Sequence, residues 1–245
     1  MTIETQHDKS EKMDTPLPSW VLLLMPVYLI ILLGFPMFFF TQTLAWLEAW
    51  LFLISFSMNM TISYLIINKK NPRLIRNRTK LKKVGLTDKT KKPAGTDKII
   101  LPVMAIGLLL AFALIIFDYN TKWTPIPFGV EIIGLVIFNI GLTIMNIAQL
   151  QNAYASKILD INKGQKLIDT GLYAHIRHPL YSGSILWMLS LPISLGSWVS
   201  LIPAILAVIP LIIRVKYEEE MLIKGMEGYE DYKTRVKYKL IPYIY

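Results

Sequence analysis

Long apolar runs separated by short polar stretches dominate the chain. A helix that crosses a membrane needs roughly 20 apolar residues, because it rises about 1.5 Å per residue through about 30 Å of hydrocarbon. Residues 19–40, 44–67, 99–117 and 128–150 each meet that requirement. Pro26, Gly34 and Pro36 are expected kinks in the first. Trp46 and Trp50 sit near one end of the second, where indoles favour the membrane interface, and Glu48 falls at headgroup level. The fourth carries Asn139, Asn146 and Gln149, with Gln151 just beyond, and amides in membrane helices usually bridge to a neighbouring helix.

After a polar stretch, 151–181, the apolar signal returns at 182–213. That run is too long for one ordinary span, and Pro192, Gly196 and Ser197 interrupt its middle. The pattern predicts a helical hairpin, roughly 182–194 and 198–215, whose short first arm is tilted or sunk among other helices. The fold class is therefore all-α, a polytopic membrane protein with about six hydrophobic helices, the last two forming a hairpin. Three regions follow: 1–18, polar and disordered; 19–150, four transmembrane helices; and 151–245, a loop, the hairpin and a tail. Residues 1–18 do not read as a signal peptide, since the apolar stretch after them is too long for an h-region.

Charge orients these spans. The loop 68–98 holds twelve of the 26 Lys and Arg residues, whereas 118–127 holds only Lys122. The positive-inside rule puts 68–98 in the cytoplasm, and with it the N-terminus, 151–181 and 214–245. Each basic residue near an anionic leaflet contributes about 1 kcal/mol of attraction, so the net charge of +9 speaks for membrane lipid and not for nucleic acid. Cysteine is absent, which excludes disulfides, thiolate metal sites and a Cys nucleophile. No GxGxxG, GxxxxGK[ST], GxSxG or HExxH motif occurs.

The candidate chemistry lies in two polar segments on one predicted face. In Gly171-Leu-Tyr-Ala-His-Ile-Arg-His-Pro-Leu-Tyr-Ser-Gly183, Gly171 suits a positive-φ turn. Pro179 biases His178 to extended backbone and suits a helix start, leaving N–H groups to meet a ligand. Ser182, Gly183 and Ser184 would let a flat ligand approach the backbone there. His178 reads as a ligand-contacting or loop-ordering residue and His175 as exposed. The Pro179 break and the missing third ligand argue against a metal. In the second segment Arg214 and Glu218 are four apart on one helical face, beside Leu211, Met221 and Leu222. They read as an interfacial ion pair or as an inward pair for an anionic and a cationic ligand group. The aromatic and basic tail reads as an interfacial anchor or as a lid over the helix ends.

Together these segments resemble the isoprenylcysteine carboxyl methyltransferases and, more distantly, the phospholipid methyltransferases. The resemblance rests on Gly171-Leu-Tyr173, Arg177-His-Pro-Leu-Tyr-Ser-Gly183, Arg214-Val-Lys-Tyr-Glu-Glu219, Gly228-Tyr-Glu-Asp-Tyr232 and Ile241-Pro242, over roughly 150–245. It implies an enzyme with a cytoplasmic S-adenosyl-L-methionine site and a lipophilic acceptor, foremost a prenylated cysteine carboxylate. By resemblance, Gln165, Lys166, Leu167, Ile168, Tyr173, His178, Pro179, Leu180, Tyr181 and Glu218 line the cofactor. Arg214 binds the acceptor, and Arg214 and Glu218 form the catalytic pair. Gln165 stands where family members often have His, Ile158 near a usual polar residue, and Glu227 where an aromatic usually precedes the glycine. Alternative readings are a phospholipid amine N-methyltransferase, an NADPH-dependent membrane reductase of related architecture, and a non-enzymatic membrane protein.

Overall fold

The computed structural model describes residues 15–72, 74–75, 97–152 and 166–244. Most of the N-terminal segment, most of the basic loop 68–98, Ile158 and Gln165 lie outside them. The described residues are all-helical, with no strand. Four helices are long and apolar enough to cross a membrane: α1 (Ser19–Thr41), α2 (Leu47–Lys70), α3 (Asp97–Thr121) and α4 (Phe128–Gln151). They mark an integral membrane protein. The hairpin follows as α5 (Pro179–Ser194) and α6 (Leu201–Gly225), and a short α7 (Tyr229–Arg235) closes the fold. The arm α5 has only 16 residues. The C-terminal half of α6 carries Arg214, Lys216 and the glutamates 218–220, so neither arm reads as a simple span.

Local chemistry explains the boundaries. The first helix breaks at Leu24, just before Pro26, because proline cannot donate to the preceding turn. It runs through Gly34 and Pro36, so those two expected kinks end no helix. Helix α5 starts at Pro179, where the missing N–H costs nothing. Gly196, at φ +81°, turns the hairpin, and Pro192 closes the end of α5.

Close helix packing depends on small residues. A Cβ on Gly134 would meet the Ser194 amide at 2.8 Å, and one on Gly141 would meet the Gly183 carbonyl at 2.8 Å. A Cβ on Gly107 would meet the Ala207 side chain at 2.8 Å and the Pro203 carbonyl at 3.0 Å. Small residues let backbones approach where lipid offers no hydrophobic drive to associate. So α4 sits against α5, and α3 against α6.

One core joins α1 through α5, with Met37, Trp46, Phe52, Leu53, Ile115, Phe138, Leu191 and Leu195. Trp46 is 1% exposed and stacks on Tyr119 at 4.1 Å, so its ring packs against protein. The outward faces expose Ile31, Phe35, Leu109, Ile133 and Leu206, as helices do that are solvated by lipid tails.

The amides of α4 behave as expected. Asn139 donates to Ser55 of α2, Asn146 donates to Ser63, and Asn59 of α2 donates back to Thr143. At the end of α4, Gln151 accepts the Leu172 N–H at 2.9 Å, tying the loop of the site to this helix.

Candidate functional site

Two ionic junctions meet where α3 begins and α6 leaves its apolar stretch. In the first, Arg214 is buried and forks onto Asp97, with Nε to Oδ1 at 2.9 Å and Nη2 to Oδ2 at 3.3 Å. Its Nη1 donates to the Tyr181 hydroxyl at 2.7 Å. That hydroxyl in turn donates to Glu218. Arg214 and Glu218 thus share a face, as their spacing predicts, but Tyr181 of α5 links them. Asp97 had no part in the sequence reading.

In the second junction, Arg177 donates Nε to Glu219 at 2.6 Å and Nη1 to the carbonyls of Val236 and Lys237 at 2.6 and 2.8 Å. Lys239 reaches the other Glu219 oxygen at 3.2 Å. His178 Nε2 stands 3.4 Å from Glu219, long for a hydrogen bond, and its ring stacks on Tyr181. Burial alone would raise the Glu219 carboxyl. The approach of His178 and the Arg177 hydrogen bond, with the charges of both, prevail and hold it at about 2.

The tail folds over the helix ends, the second of its two expected forms. The Arg177 and His178 amides donate to Tyr238 and Lys239 carbonyls, both at 2.9 Å. Ser182 Oγ donates to the Leu240 carbonyl, and Tyr232 donates to the Tyr173 carbonyl at 2.7 Å. Gly228, at φ +77°, makes the turn into α7, and Tyr229, Tyr232 and Val236 pack on Leu167, Leu222 and Met226. Tyr229, Tyr232, Val236 and Leu240 are buried by this docking, while most polar positions between them and the end, Ile241 to Ile244, are exposed.

The tail takes the N–H groups just before Pro179, those of Arg177 and His178. One expectation is overturned. Gly183 gives no room to a flat ligand, since a Cβ there would meet the Gly141 carbonyl at 2.6 Å. Gly171, at φ +62°, makes the expected turn, and His175 is exposed as expected.

The remaining candidates gather around these junctions. Tyr173, His178, Pro179 and Tyr181 are buried; Leu167, Ile168, Leu180 and Glu218 are half-buried; Lys166 is exposed. Burial and the nearby Glu218 charge push the Tyr173 hydroxyl pKa up, so it stays neutral. Among the described residues, the buried His178 Nε2 and Tyr229 hydroxyl have no hydrogen-bond partner. An orphaned buried polar group costs about 1–3 kcal/mol, so these two suit contact with a polar ligand. A half-buried carboxylate beside tyrosine rings also suits a cation such as a sulfonium. No group of three or more His, Cys, Asp or Glu able to hold a metal occurs among the described residues.

Comparison with known proteins bears on the same region. Residues 132–224 match the isoprenylcysteine carboxyl methyltransferase (ICMT) family model. That match covers most of α4, the segment to α5, α5 itself and nearly all of α6. The chain is also 28% identical over 161 residues to the Delta(14)-sterol reductase of Saccharomyces cerevisiae, covering 57% of this chain. It spans 36% of that curated relative's length. A solved structure of the eukaryotic intramembrane Ras methyltransferase ICMT aligns over 79% of this chain and 68% of that one. Its identity is 20% and its TM-score 0.45.

Proposed function

From the isoprenylcysteine carboxyl methyltransferase family that residues 132–224 match, we propose an integral membrane methyltransferase. It moves a methyl group from S-adenosylmethionine to a lipophilic carboxylate, foremost that of a prenylated cysteine. The observation that carries this reading is the hydrogen-bonded chain Arg214–Tyr181–Glu218, which ties an anion-binding group to a cation-binding one.

Bound S-adenosylmethionine supplies an electrophilic methyl group on a sulfonium. The residues here fit it: Glu218 offers negative charge, and Tyr173 and Tyr181 offer aromatic surface. Leu167, Ile168, Pro179 and Leu180 supply apolar wall, with the exposed Lys166 beside it; Gln165, the remaining candidate, lies outside the described residues. His178 braces this wall through Tyr181 and Glu219.

Arg214 holds the acceptor. A carboxylate is already ionised and needs no general base, so alignment and exclusion of water can supply the rate. An amine acceptor would need a base to take its proton, and a buried guanidinium would repel its ammonium form. That favours the carboxyl O-methyltransferase over the phospholipid amine N-methyltransferase.

The site belongs on the cytoplasmic side in this reading, because Asp97 lies at the end of the basic loop 68–98. Both termini then lie in the cytoplasm, and 151–245 forms the catalytic region behind four transmembrane helices. Acceptors of this kind arrive through the bilayer, along the exposed apolar faces of the helices.

The test is transfer of labelled methyl from S-adenosylmethionine by the detergent-purified protein. N-acetyl-S-farnesylcysteine should be methylated to a base-labile ester, and phosphatidylethanolamine should not. Label in the phospholipid alone would replace the carboxylate with an amine. The sterol reductase similarity makes NADPH the control ligand.

A further inference from the structure

We propose that Asp97 is the positioning residue for Arg214, fixing the guanidinium so that it presents the acceptor in line rather than merely attracting it. The proposal rests on the methyltransferase reading above and adds a residue that the family match at 132–224 does not reach.

Asp97 opens α3, 117 residues before Arg214, and its side chain is wholly buried. Its two oxygens take Nε and Nη2, the side-on fork that fixes a guanidinium in its plane. Tyr181 then takes Nη1 from another helix. Restrained from two directions, the guanidinium has one orientation. The contact of Gly107 with Ala207 and Pro203 sets the register of α3 against α6, so Asp97 itself sits on a rigid support.

A purely structural purpose explains this pair poorly. Burying two charges costs several kcal/mol per ion, and well-packed apolar residues often serve stability as well or better. A site that must align a carboxylate has a use for the pair. Asp97 orients the guanidinium and also offsets its charge. A buried and uncompensated Arg would grip the acceptor carboxylate through the lone pair that must attack the methyl group. Partial neutralisation lets Arg214 steer the acceptor without quenching it. Because a misplacement of about 1 Å can cost about 100-fold in rate, the loss should fall on turnover.

The experiment uses the detergent-purified full chain with N-acetyl-S-farnesylcysteine as acceptor. Asp97→Asn should lower kcat at least tenfold, with acceptor KM changed less than threefold and S-adenosylhomocysteine affinity within twofold. Asp97→Glu, which keeps the charge but displaces it by a methylene, should fall between wild type and Asp97→Asn. In an Arg214→Lys background, Asp97→Asn should add less than a twofold further loss, since its effect acts through Arg214. Losses that multiply in the double variant, or an intact kcat in Asp97→Asn, would overturn the proposal. If Asp97→Asn yields no folded protein, Asp97→Glu decides: reduced kcat with retained S-adenosylhomocysteine affinity supports it, and wild-type kcat overturns it. A wild-type protein that binds no S-adenosylhomocysteine would instead refute the methyltransferase reading, a separate failure.

Discussion

Two polar regions lie within this apolar fold, and they are built in opposite ways. The seam between α2 and α4 uses neutral amides and hydroxyls: Ser55, Asn59, Ser63, Asn139, Thr143 and Asn146. Its hydrogen bonds join one helix pair, as polar groups do when they serve as glue. The junction at the end of α6 uses full charges drawn from α3, the loop before α5, α6 and the tail. Ionisable groups near hydrocarbon are costly, and several elements are arranged around these. Glue can be local, whereas a site must gather its groups from afar.

Substitutions that break the second region should therefore cost far more than those in the first. The largest effect is expected at Arg177. Arg177→Met takes the closest partner from Glu219, leaving it to Lys239 and His178, and releases two tail carbonyls, which should cost about 3 kcal/mol of stability. Thermal unfolding in detergent and proteolysis near residues 236–240 would register it. The same junction gives a pH signature. Because Glu219 is held at about 2, below the usual carboxylate value of 4.5, its stabilisation is full above that value and is lost as pH falls towards 2. Glu219→Gln should flatten that acid limb in a thermal-shift series.

Next comes chemistry without unfolding. Arg214→Lys keeps a cation beside Asp97 but loses the fork, so methyl transfer should fall about 100-fold, near 2.7 kcal/mol, while cofactor affinity stays within threefold. Equal losses of both would remove Arg214 from the acceptor side. Glu218→Gln should weaken S-adenosylmethionine binding about tenfold by calorimetry, near 1.4 kcal/mol. Unchanged affinity would leave Glu218 only its bond to Tyr181. The smallest effect belongs to the seam. Asn59→Ala should cost about 0.6 kcal/mol and leave turnover unchanged, as averages for interhelical hydrogen bonds suggest.

Hydropathy made most of the fold legible. The four long helices fall within a few residues of the apolar runs, and the Pro192–Ser197 interruption marks the hairpin turn. Spacing also brought Arg214 and Glu218 to one face, and Pro179 marked the start of α5. What stayed hidden depends on contacts across the fold. Asp97 reads locally as an acid opening a helix beside a basic loop, and nothing near it points to a residue 117 positions away. Glu219 stood beside Glu218 in the sequence with nothing to mark it, yet it pairs with Arg177 of the loop before α5. Gly183 looked like room for a ligand, but the space holds the backbone of α4. Trp46 fits an interfacial pattern by composition, and its stacking on Tyr119 is a contact across the fold that composition does not show.

The central claim is that the junction around Glu218 and Arg214 serves S-adenosylmethionine. Calorimetric titration of the detergent-purified protein with S-adenosylmethionine, S-adenosylhomocysteine and NADPH tests it most directly. Saturable binding of the first two, weakened by Glu218→Gln, with no binding of NADPH, is the predicted result. Binding of NADPH alone, or of none of the three, would contradict the account.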